Sequence, residues 1–156
     1  MHTEWQRNPL VVSTDPARLD VEAIHGFLTR AYWCAGIPRE TVERALHHSL
    51  CFGLYDGAAQ IGLTRVVTDY ATFAYLCDVY VLESHRGRGL GKWLIECVVT
   101  HLQPQGLRRL YLVTRDAHGL YAPFGFHPLR RPEDHMELPK PDIYKAAAGS
   151  GQSATQ

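Results

Sequence analysis

Apolar residues recur along the chain with two different spacings, and each change of spacing marks the border of a predicted element. Continuous or alternating apolar runs predict strands, which occupy residues 10–14, 51–55, 60–68, 75–82, 109–114, 126–129 and 135–138. Apolar residues three or four positions apart predict helices, which occupy residues 16–33, 38–46, 90–102 and 116–121. Because helices and strands are interleaved, and Asp56-Gly57 is typical of a hairpin turn, the pattern indicates one mixed α/β domain.

The most informative stretch is residues 75–102, which predicts a buried strand, a glycine-rich turn and a helix. The turn, Arg86-Gly87-Arg88-Gly89-Leu90-Gly91, can bring bare backbone close to a ligand. A helix N-terminus carries unpaired N–H groups and a partial positive charge. The turn therefore predicts an anion site, to which Arg86, Arg88 and Lys92 add charge. A tight connection with solvated arginines is the other interpretation of these residues.

Spacing excludes two common phosphate-binding motifs at this turn. A P-loop requires glycine five positions before Gly91-Lys92 and Ser or Thr after the lysine, but Arg86 and Trp93 stand there. A dinucleotide-binding fingerprint that begins at Gly87 requires glycine where the chain has Lys92. The pattern that remains is R-x-x-G-x-G, followed directly by the predicted helix.

Composition narrows the classes of partner and location. Sixteen basic and sixteen acidic side chains cancel, whereas proteins that bind nucleic acid or anionic membranes normally carry a basic excess, so neither partner is expected. The four cysteines contain no Cys-x-x-Cys pair, which predicts reduced thiols and a cytoplasmic protein; the histidines lack metal-ligand spacing, so no metal is expected. Residues 1–139 are predicted to form a single domain. Residues 140–156, rich in Ala, Gly, Ser and Gln, are predicted to be a disordered tail.

Two motifs together resemble the GNAT acetyltransferase superfamily. The turn at residues 86–91 resembles its coenzyme A motif, and residues 117–126 (AHGLYAPFGF) resemble its A-x-x-L-Y-x-x-x-G-F stretch. The resemblance covers residues 51–138. It implies a GNAT-like α/β fold, whose central, mostly antiparallel mixed sheet is splayed between the fourth and fifth predicted strands and flanked by about four helices. It also implies acetyl-CoA as the acyl donor.

The same resemblance implies which residues hold the coenzyme. The pyrophosphate would lie on the N–H groups of the glycine turn, and the pantetheine arm would run along Val79 and Val81. Thr114 stands where the family often has asparagine, which weakens one expected pantetheine contact. The implied coenzyme-binding set is Val79, Val81, Arg86, Gly87, Arg88, Gly89, Leu90, Gly91, Lys92 and Thr114.

Acyl transfer to an amine needs a proton acceptor for the ammonium group and a proton donor for the leaving thiolate. A lysine-like amine is only about 0.04% neutral at pH 7, so a base or a water relay is required. Asp78 is the first candidate, because it is a carboxylate in an otherwise apolar strand where burial would favour proton uptake. The alternative is a structural aspartate bound to backbone or to a buried arginine. Asp69, His118 and a water relay are the further candidates.

The family resemblance implies that Tyr121 protonates the departing thiolate as a general acid. A core tyrosine with a bonded hydroxyl is the other interpretation of this residue. For the acceptor, five residues suggest a pocket with aromatic walls and one acid, suited to a small cationic amine: Tyr32, Trp33, Asp69, Tyr70 and Phe73. Each of the five could equally belong to the packed core.

The resemblance and these residues together predict an N-acetyltransferase that transfers an acetyl group directly from acetyl-CoA to a primary amine in a ternary complex. A catalytically silent acyl-CoA sensor on the same fold is the first alternative. A protein–protein adaptor whose glycine turn binds no ligand is the second. Homodimers are common in the superfamily, so a homodimer is one of the expected states, although no residue identifies an interface.

Overall fold

The computed structural model describes residues 1–145 of the 156-residue chain. Within them, six strands form one sheet: β1 (Glu4–Arg7), β2 (Leu10–Ser13), β3 (Leu50–Asp56), β4 (Ala59–Thr68), β5 (Phe73–Val81) and β6 (Arg109–Leu112). Four α-helices of this part of the chain flank the sheet: α1 (Val21–Leu28), α2 (Arg39–His47), α3 (Leu90–Leu102) and α4 (His118–Tyr121). A search of the described residues finds no helix long and apolar enough to cross a membrane.

The sheet opens between its last two strands. Neighbouring strands follow chain order and run antiparallel from β1 to β5, whereas β5 and β6 are parallel. Their pairing joins only residues 73–76 of β5 to residues 109–112 of β6. Because β5 continues to Val81 while β6 ends at Leu112, the two strands separate beyond this point. The expected splayed, mostly antiparallel mixed sheet is confirmed.

Helices cover both faces of the sheet. The apolar side of α3 packs on one face, in a core that includes Phe52 and Leu76. On the other face, Leu28 of α1 and Val42 of α2 share a second core with Leu63 of β4. Burying an aliphatic or phenylalanine side chain contributes about 1.5–3 kcal/mol. The two cores therefore hold the sheet from both sides and keep its open end in a fixed geometry.

A bulge in β5 reverses the alternation of its side chains. The register of β4 against β5 shifts between Leu63 and Arg65, where one residue of β4 faces two of β5. Asp78 lies in the bulge with φ of 52°. Leu76 faces the α3 core, and so does Val79 beyond the bulge. In a regular strand Asp78 would share the face of Leu76, so the bulge directs its carboxylate to the side of α1 and α2 instead.

The structure of the N-terminal part differs from the sequence prediction in two ways. The predicted helix over residues 16–33 is shorter: residues 16–18 form only a 3-10 turn, because Leu19 returns to an extended conformation. The α-helix then begins after Asp20, whose Oδ1 accepts a hydrogen bond from Ala23 N at 3.0 Å. The extra strand β1 was not predicted, because its mostly exposed residues show no apolar alternation.

The hairpin predicted at residues 126–129 and 135–138 is wrong for the part of the chain that the structure describes, where β6 is the last strand. Pro132 opens a 3-10 turn between the two segments, and Arg131 Nε contacts Asp134 Oδ2 at 2.8 Å across it. Residues 126–130 and 136–139 make no backbone–backbone hydrogen bond with any of residues 1–145. The apolar alternation of these two segments is typical of strands, but it does not show which strand each segment would pair with.

Most of the predicted tail, residues 146–156, lies outside the described residues. Just before it, Tyr144 packs against the core beneath α1 and α2. Its Cβ lies 3.8 Å from the position that a Cβ on Gly36 would occupy. The chain after His135 therefore crosses from the β6 edge to the α1–α2 face.

Candidate active site

A cavity of about 400 Å³ opens where β5 and β6 separate, within the range of about 300–1,000 Å³ that is typical of ligand sites. Four separate parts of the chain line it: the α1–α2 connection, the β5 bulge, the segment after β6, and α4. The predicted site residues on its walls are Tyr32, Trp33, Asp78, Val79, Thr114 and Tyr121. The fold therefore gathers both catalytic candidates at one cavity.

The glycine turn before α3 presents backbone rather than side chains. Gly87 and Gly89 have φ values of 78° and 74°, which glycine adopts without strain. Gly89 is the N-cap of α3, and no described side chain caps that helix, so its first N–H groups are open to a ligand. A Cβ at either glycine would meet none of the described atoms within 4 Å. This space fits the pyrophosphate of a coenzyme at a helix N-terminus.

Two hydrogen bonds hold the turn against the neighbouring hairpin. Leu82 N donates to Ile61 O at 2.8 Å, directly after β5. His85 Nε2 lies 3.1 Å from Asp56 Oδ2 in the β3–β4 turn. The path from the β5 bulge to the glycine turn is therefore fixed by contacts on β3 and β4.

The three basic residues of the turn have different roles. Arg86 Nε donates to Val81 O at 2.9 Å, so this guanidinium points back to the end of β5. Arg88 and Lys92 are exposed, and neither forms an ion pair with another of residues 1–145. Arg88 and Lys92 are therefore the side chains at the turn that are free to contact an anionic ligand.

Asp78 is held by two side chains beside the cavity. Its Oδ1 accepts a hydrogen bond from Trp33 Nε1 at 2.9 Å, and its Oδ2 accepts one from Arg65 Nε at 2.7 Å. Arg65 Nη1 also donates to Ser49 Oγ at 3.1 Å. The Arg65 and Asp78 side chains are only 19% and 11% exposed, so little water competes for the pair. These contacts agree with the structural interpretation of Asp78, although the residue also lines the cavity.

Tyr121 is buried beside the same cavity, with 6% of its surface exposed. Burial raises the pKa of its phenol to about 12, and the nearby Tyr32 adds to the shift. Its ring meets Phe126 edge-on, with 5.9 Å between ring centroids. The phenol is therefore protonated at neutral pH, which is the state that a general acid needs.

Thr114 orders the start of the segment that carries Tyr121. Its Oγ1 accepts a hydrogen bond from Ala117 N at 3.0 Å, just before α4. Thr114 lies in the cavity wall as expected, but its hydroxyl is engaged within the protein. Thr114, which stands where the superfamily often has asparagine, therefore stabilises the turn before α4.

The model of the acetyltransferase (GNAT) family matches residues 20–126. The chain belongs to the GNAT acetyltransferase family. A candidate acetyltransferase from Gibberella zeae is 38% identical over 138 residues, with 75% of this chain and 78% of that protein covered. The sequence resemblance to the GNAT family is therefore confirmed.

Two solved structures support the same fold. A candidate GNAT acetyltransferase from Xanthomonas campestris pv. campestris is 48% identical with a TM-score of 0.84, covering 89% of this chain and 99% of that one. An acetyltransferase structure from Clostridium acetobutylicum, determined with acetyl-CoA, has a TM-score of 0.61 and covers 89% of this chain and 96% of that one. At 14% identity it shows likeness in fold alone.

Three residues of the expected acceptor set, Asp69, Tyr70 and Phe73, do not line the cavity of this GNAT domain. Asp69 closes the β4–β5 turn: its Oδ2 accepts from Thr72 Oγ1 at 2.6 Å, and its Oδ1 accepts from Ala71 N at 2.9 Å. The Thr72 hydroxyl, followed by the turn amides, holds the pKa of Asp69 well below its ordinary value. A carboxylate with these partners stabilises the turn and does not reach a substrate in the cavity.

His118 also lies apart from the β5 bulge. It is exposed and lines a neighbouring cavity of about 530 Å³, which it shares with Thr114 and Tyr121. Tyr121 contributes to the walls of both cavities. His118 therefore lines a different cavity from the one that Asp78 lines.

Sequence reasoning missed several residues of the cavity, among them Tyr75, Arg115 and Asp116. Arg115 places its guanidinium 4.0 Å from the centre of the Tyr32 ring, a cation–π contact that steadies the α1–α2 connection. One available signal was position, because polar residues directly after a parallel strand commonly face the ligand crevice. The partnership of Arg65 with Asp78 had no local signal.

Proposed function

We propose that this GNAT protein is an N-acetyltransferase that transfers an acetyl group directly from acetyl-CoA to a primary amine in a ternary complex. The observation that carries the proposal is the common cavity of Tyr121 and Asp78, where β5 and β6 separate. The glycine-built N-terminus of α3 supports the choice of a phosphate-bearing donor. The acetyl-CoA in the Clostridium acetobutylicum structure supports the same choice.

The coenzyme is proposed to bind through main-chain groups. N–H groups of residues 87–91 hold its pyrophosphate, and Arg88 and Lys92 add positive charge. From residue 77 onward, the edge of β5 that faces away from β4 has no strand partner within residues 1–145, so the pantetheine amides can pair there beside Val79 and Val81. The bound thioester supplies an activated acetyl group and a thiolate leaving group.

The chain itself supplies the proton transfers. Asp78 is the proton acceptor that we propose, directly or through one bound water, because Asp69 closes a turn and His118 faces the other cavity. A bulge leaves a backbone group without its ladder partner, and the N–H near Val79 is proposed to stabilise the oxyanion. Tyr121 donates a proton to the thiolate as the carbon–sulfur bond breaks.

The acceptor site is proposed to favour a small cationic amine. Tyr32, Trp33 and Tyr75 give the cavity aromatic walls around the Asp78 carboxylate. Aromatic faces and a carboxylate both attract an ammonium group. The amine would approach the bulge from the side of α1 and α2, opposite to the core that α3 covers.

Tyr121→Phe tests the proposed function. A panel of primary amines is screened with acetyl-CoA for thiol release, and the best acceptor is used for kinetics. Loss of a general acid lowers turnover by roughly 100-fold or more, while the coenzyme dissociation constant, measured by calorimetry, stays within about twofold because the glycine turn is untouched.

Tyr55→Phe is the matched control, because Tyr55 is also buried, burial also raises its pKa to about 12, and it lies on β3 away from the cavity. Its turnover should equal that of the wild type. Wild-type turnover in Tyr121→Phe would remove Tyr121 from the mechanism. Tight acetyl-CoA binding without thiol release for any amine would favour the acyl-CoA sensor instead.

A further inference from the structure

The connection between α1 and α2 bridges the opening between β5 and β6, because its consecutive aromatic residues contact both walls. Trp33 Nε1 donates to Asp78 Oδ1 on β5 at 2.9 Å. The Tyr32 ring centre lies 4.0 Å from Arg115 Cζ, in the segment after β6. The Tyr32 and Trp33 ring centroids are 5.1 Å apart. Asp78 and Arg115 therefore line one cavity from its two sides, close enough for one small molecule to reach both.

Arg115 is held in place without the use of its hydrogen-bond donors. Its guanidinium contacts the face of the Tyr32 ring. Its side chain donates no hydrogen bond to another of residues 1–145. A guanidinium carries a planar fork of N–H donors that matches the two oxygens of a carboxylate. The ring therefore fixes the position of a fork that no described residue occupies.

The charges around the cavity balance. Asp78 is matched by Arg65, with 2.7 Å between Oδ2 and Nε. Arg115 and Asp116 also line the cavity, and neither forms an ion pair with another of residues 1–145. They leave the wall one positive and one negative charge, which a molecule with both an ammonium and a carboxylate group complements. A polyamine would instead bring a second ammonium group near Arg115, where like charges repel.

The anion that fits Arg115 comes from the acceptor and not from the coenzyme. We place the pyrophosphate at the glycine turn, and none of residues 86–92 lines the cavity that Arg115 lines. The pantetheine arm and the thioester, which would reach the cavity, carry no charge. A carboxylate on the same molecule as the amine is therefore the anion within reach of Arg115.

We propose, on the basis of the N-acetyltransferase function proposed above, that the acceptor is a free amino acid. Its ammonium group lies beside Asp78, and its carboxylate accepts bidentate hydrogen bonds from the Arg115 guanidinium. Tyr32 is a positioning residue, because it acts through that guanidinium. Polyamines and the N-termini of proteins are not expected acceptors, since neither offers a carboxylate beside the amine.

The transfer to an amino acid balances with the groups already described. The new nitrogen–carbon bond forms as the thioester carbon–sulfur bond breaks. One ammonium proton passes through Asp78 to water, and another replaces the proton that Tyr121 gives to the thiolate. The products are an N-acetyl amino acid, coenzyme A as the thiol, and a proton in water.

Matched acceptors test the assignment of the amino acid. Each of several amino acids is compared with its own amide, which keeps the side chain and lacks the carboxylate. Thiol release gives kcat/KM for both, and the quantity compared between proteins is the ratio of the amino acid to its amide. The wild type should acetylate at least one free amino acid. Arg115→Gln should lower the ratio by roughly 10- to 100-fold, because a charge-assisted bidentate contact is lost.

The ratio separates a lost contact from a damaged protein. A partly unfolded variant would lower both members of a pair equally, and intrinsic differences in amine reactivity cancel between variant and wild type. Arg44→Gln is the matched control, because Arg44 is also exposed but lies on α2 outside the cavity, and it should keep the wild-type ratio. Tyr32→Leu removes the ring face and should lower the ratio severalfold, whereas Tyr32→Phe keeps the ring and should restore it.

Four results would contradict the assignment. An unchanged ratio in Arg115→Gln would show that Arg115 binds no carboxylate. A rise in the acetyl-CoA dissociation constant as large as the change in ratio would place Arg115 at the coenzyme. Acetylation of a polyamine or a peptide N-terminus with a higher kcat/KM than any amino acid would overturn the amino acid alone and leave the N-acetyltransferase standing. Binding of acetyl-CoA without thiol release for any amine would overturn the proposed function as well.

Discussion

The two sides of the cleft between β5 and β6 are built in different ways. On the side where we place the coenzyme, the glycine turn and the N-terminus of α3 offer main-chain N–H groups, and these residues are adjacent in sequence. On the acceptor side, side-chain hydrogen bonds join Asp78 to Trp33 across 45 positions and to Arg65 across 13. A site built from main-chain N–H groups depends on the backbone conformation of a few adjacent residues. A site built from side chains depends on which helices and strands pack together.

This difference predicts how each side responds to substitution. Gly89 has φ of 74° and no neighbour near its missing side chain, so a new side chain there would enter the ligand's space without disturbing the core. Arg65 and Asp78 are largely buried, so removing either partner leaves a charge with little water around it. A substitution at Gly89 should therefore abolish binding at a stability cost limited to the local backbone strain, about 1–2 kcal/mol, whereas the side that holds Asp78 should lose more stability along with its geometry.

Gly89→Glu should give the largest effect. The new carboxylate would lie at the helix N-terminus where we place the pyrophosphate, so affinity for acetyl-CoA should fall by at least about 100-fold, measured by calorimetry. Gly106→Glu is the matched control, because Gly106 has φ of 71° and an equally open surrounding but ends the 3-10 turn after α3. Equal loss of affinity in both variants would mean that backbone strain causes the loss, and not a side chain that fills the proposed pyrophosphate site.

Arg65→Met should come next. It leaves the Asp78 carboxylate without its guanidinium partner, and the free energy of unfolding in urea should fall by about 3 kcal/mol. Arg65→Met/Asp78→Asn should recover part of this loss, since no uncompensated charge remains. Arg39→Met removes an exposed guanidinium paired with Glu22 and should change stability little. If both single variants behaved alike, the buried pair would have no special role in the acceptor side.

Trp33→Phe should give the smallest effect. It removes the hydrogen bond that the indole N–H donates to Asp78, so the free energy of unfolding should fall by about 1 kcal/mol. It also loosens the wall of the proposed acceptor cavity. The KM for the amine should rise severalfold while the acetyl-CoA dissociation constant stays the same. Trp5→Phe, on β1, controls for loss of an indole elsewhere. A change in coenzyme affinity as large as the change in KM would contradict the division between the two sides.

The elements with strong local signals were predicted well. β3, β4, β5 and α3 follow from apolar spacing, and the splay follows from the family resemblance. The start of α1 was wrong because Asp15 and Asp20 are both good caps, and the extended Leu19 between them separates a 3-10 turn from the helix. The last hairpin was wrong because alternation at residues 135–138 gives a strand pattern but not the edge with which it pairs.

By itself, the sequence determined where the glycine turn and the start of α3 lie, where we place the coenzyme, because glycine spacing and the start of a helix are properties of adjacent residues. It also determined that Tyr121 stands in the stretch after β6 that resembles the A-x-x-L-Y-x-x-x-G-F motif of the family. Only the tertiary structure decided what Asp78 contacts, since a single bulge residue with φ of 52° turns its carboxylate towards Arg65 and Trp33. Side chains alternate between the two faces of a strand, so one inserted residue moves every later side chain to the opposite face. No local sequence pattern indicates where such an insertion occurs.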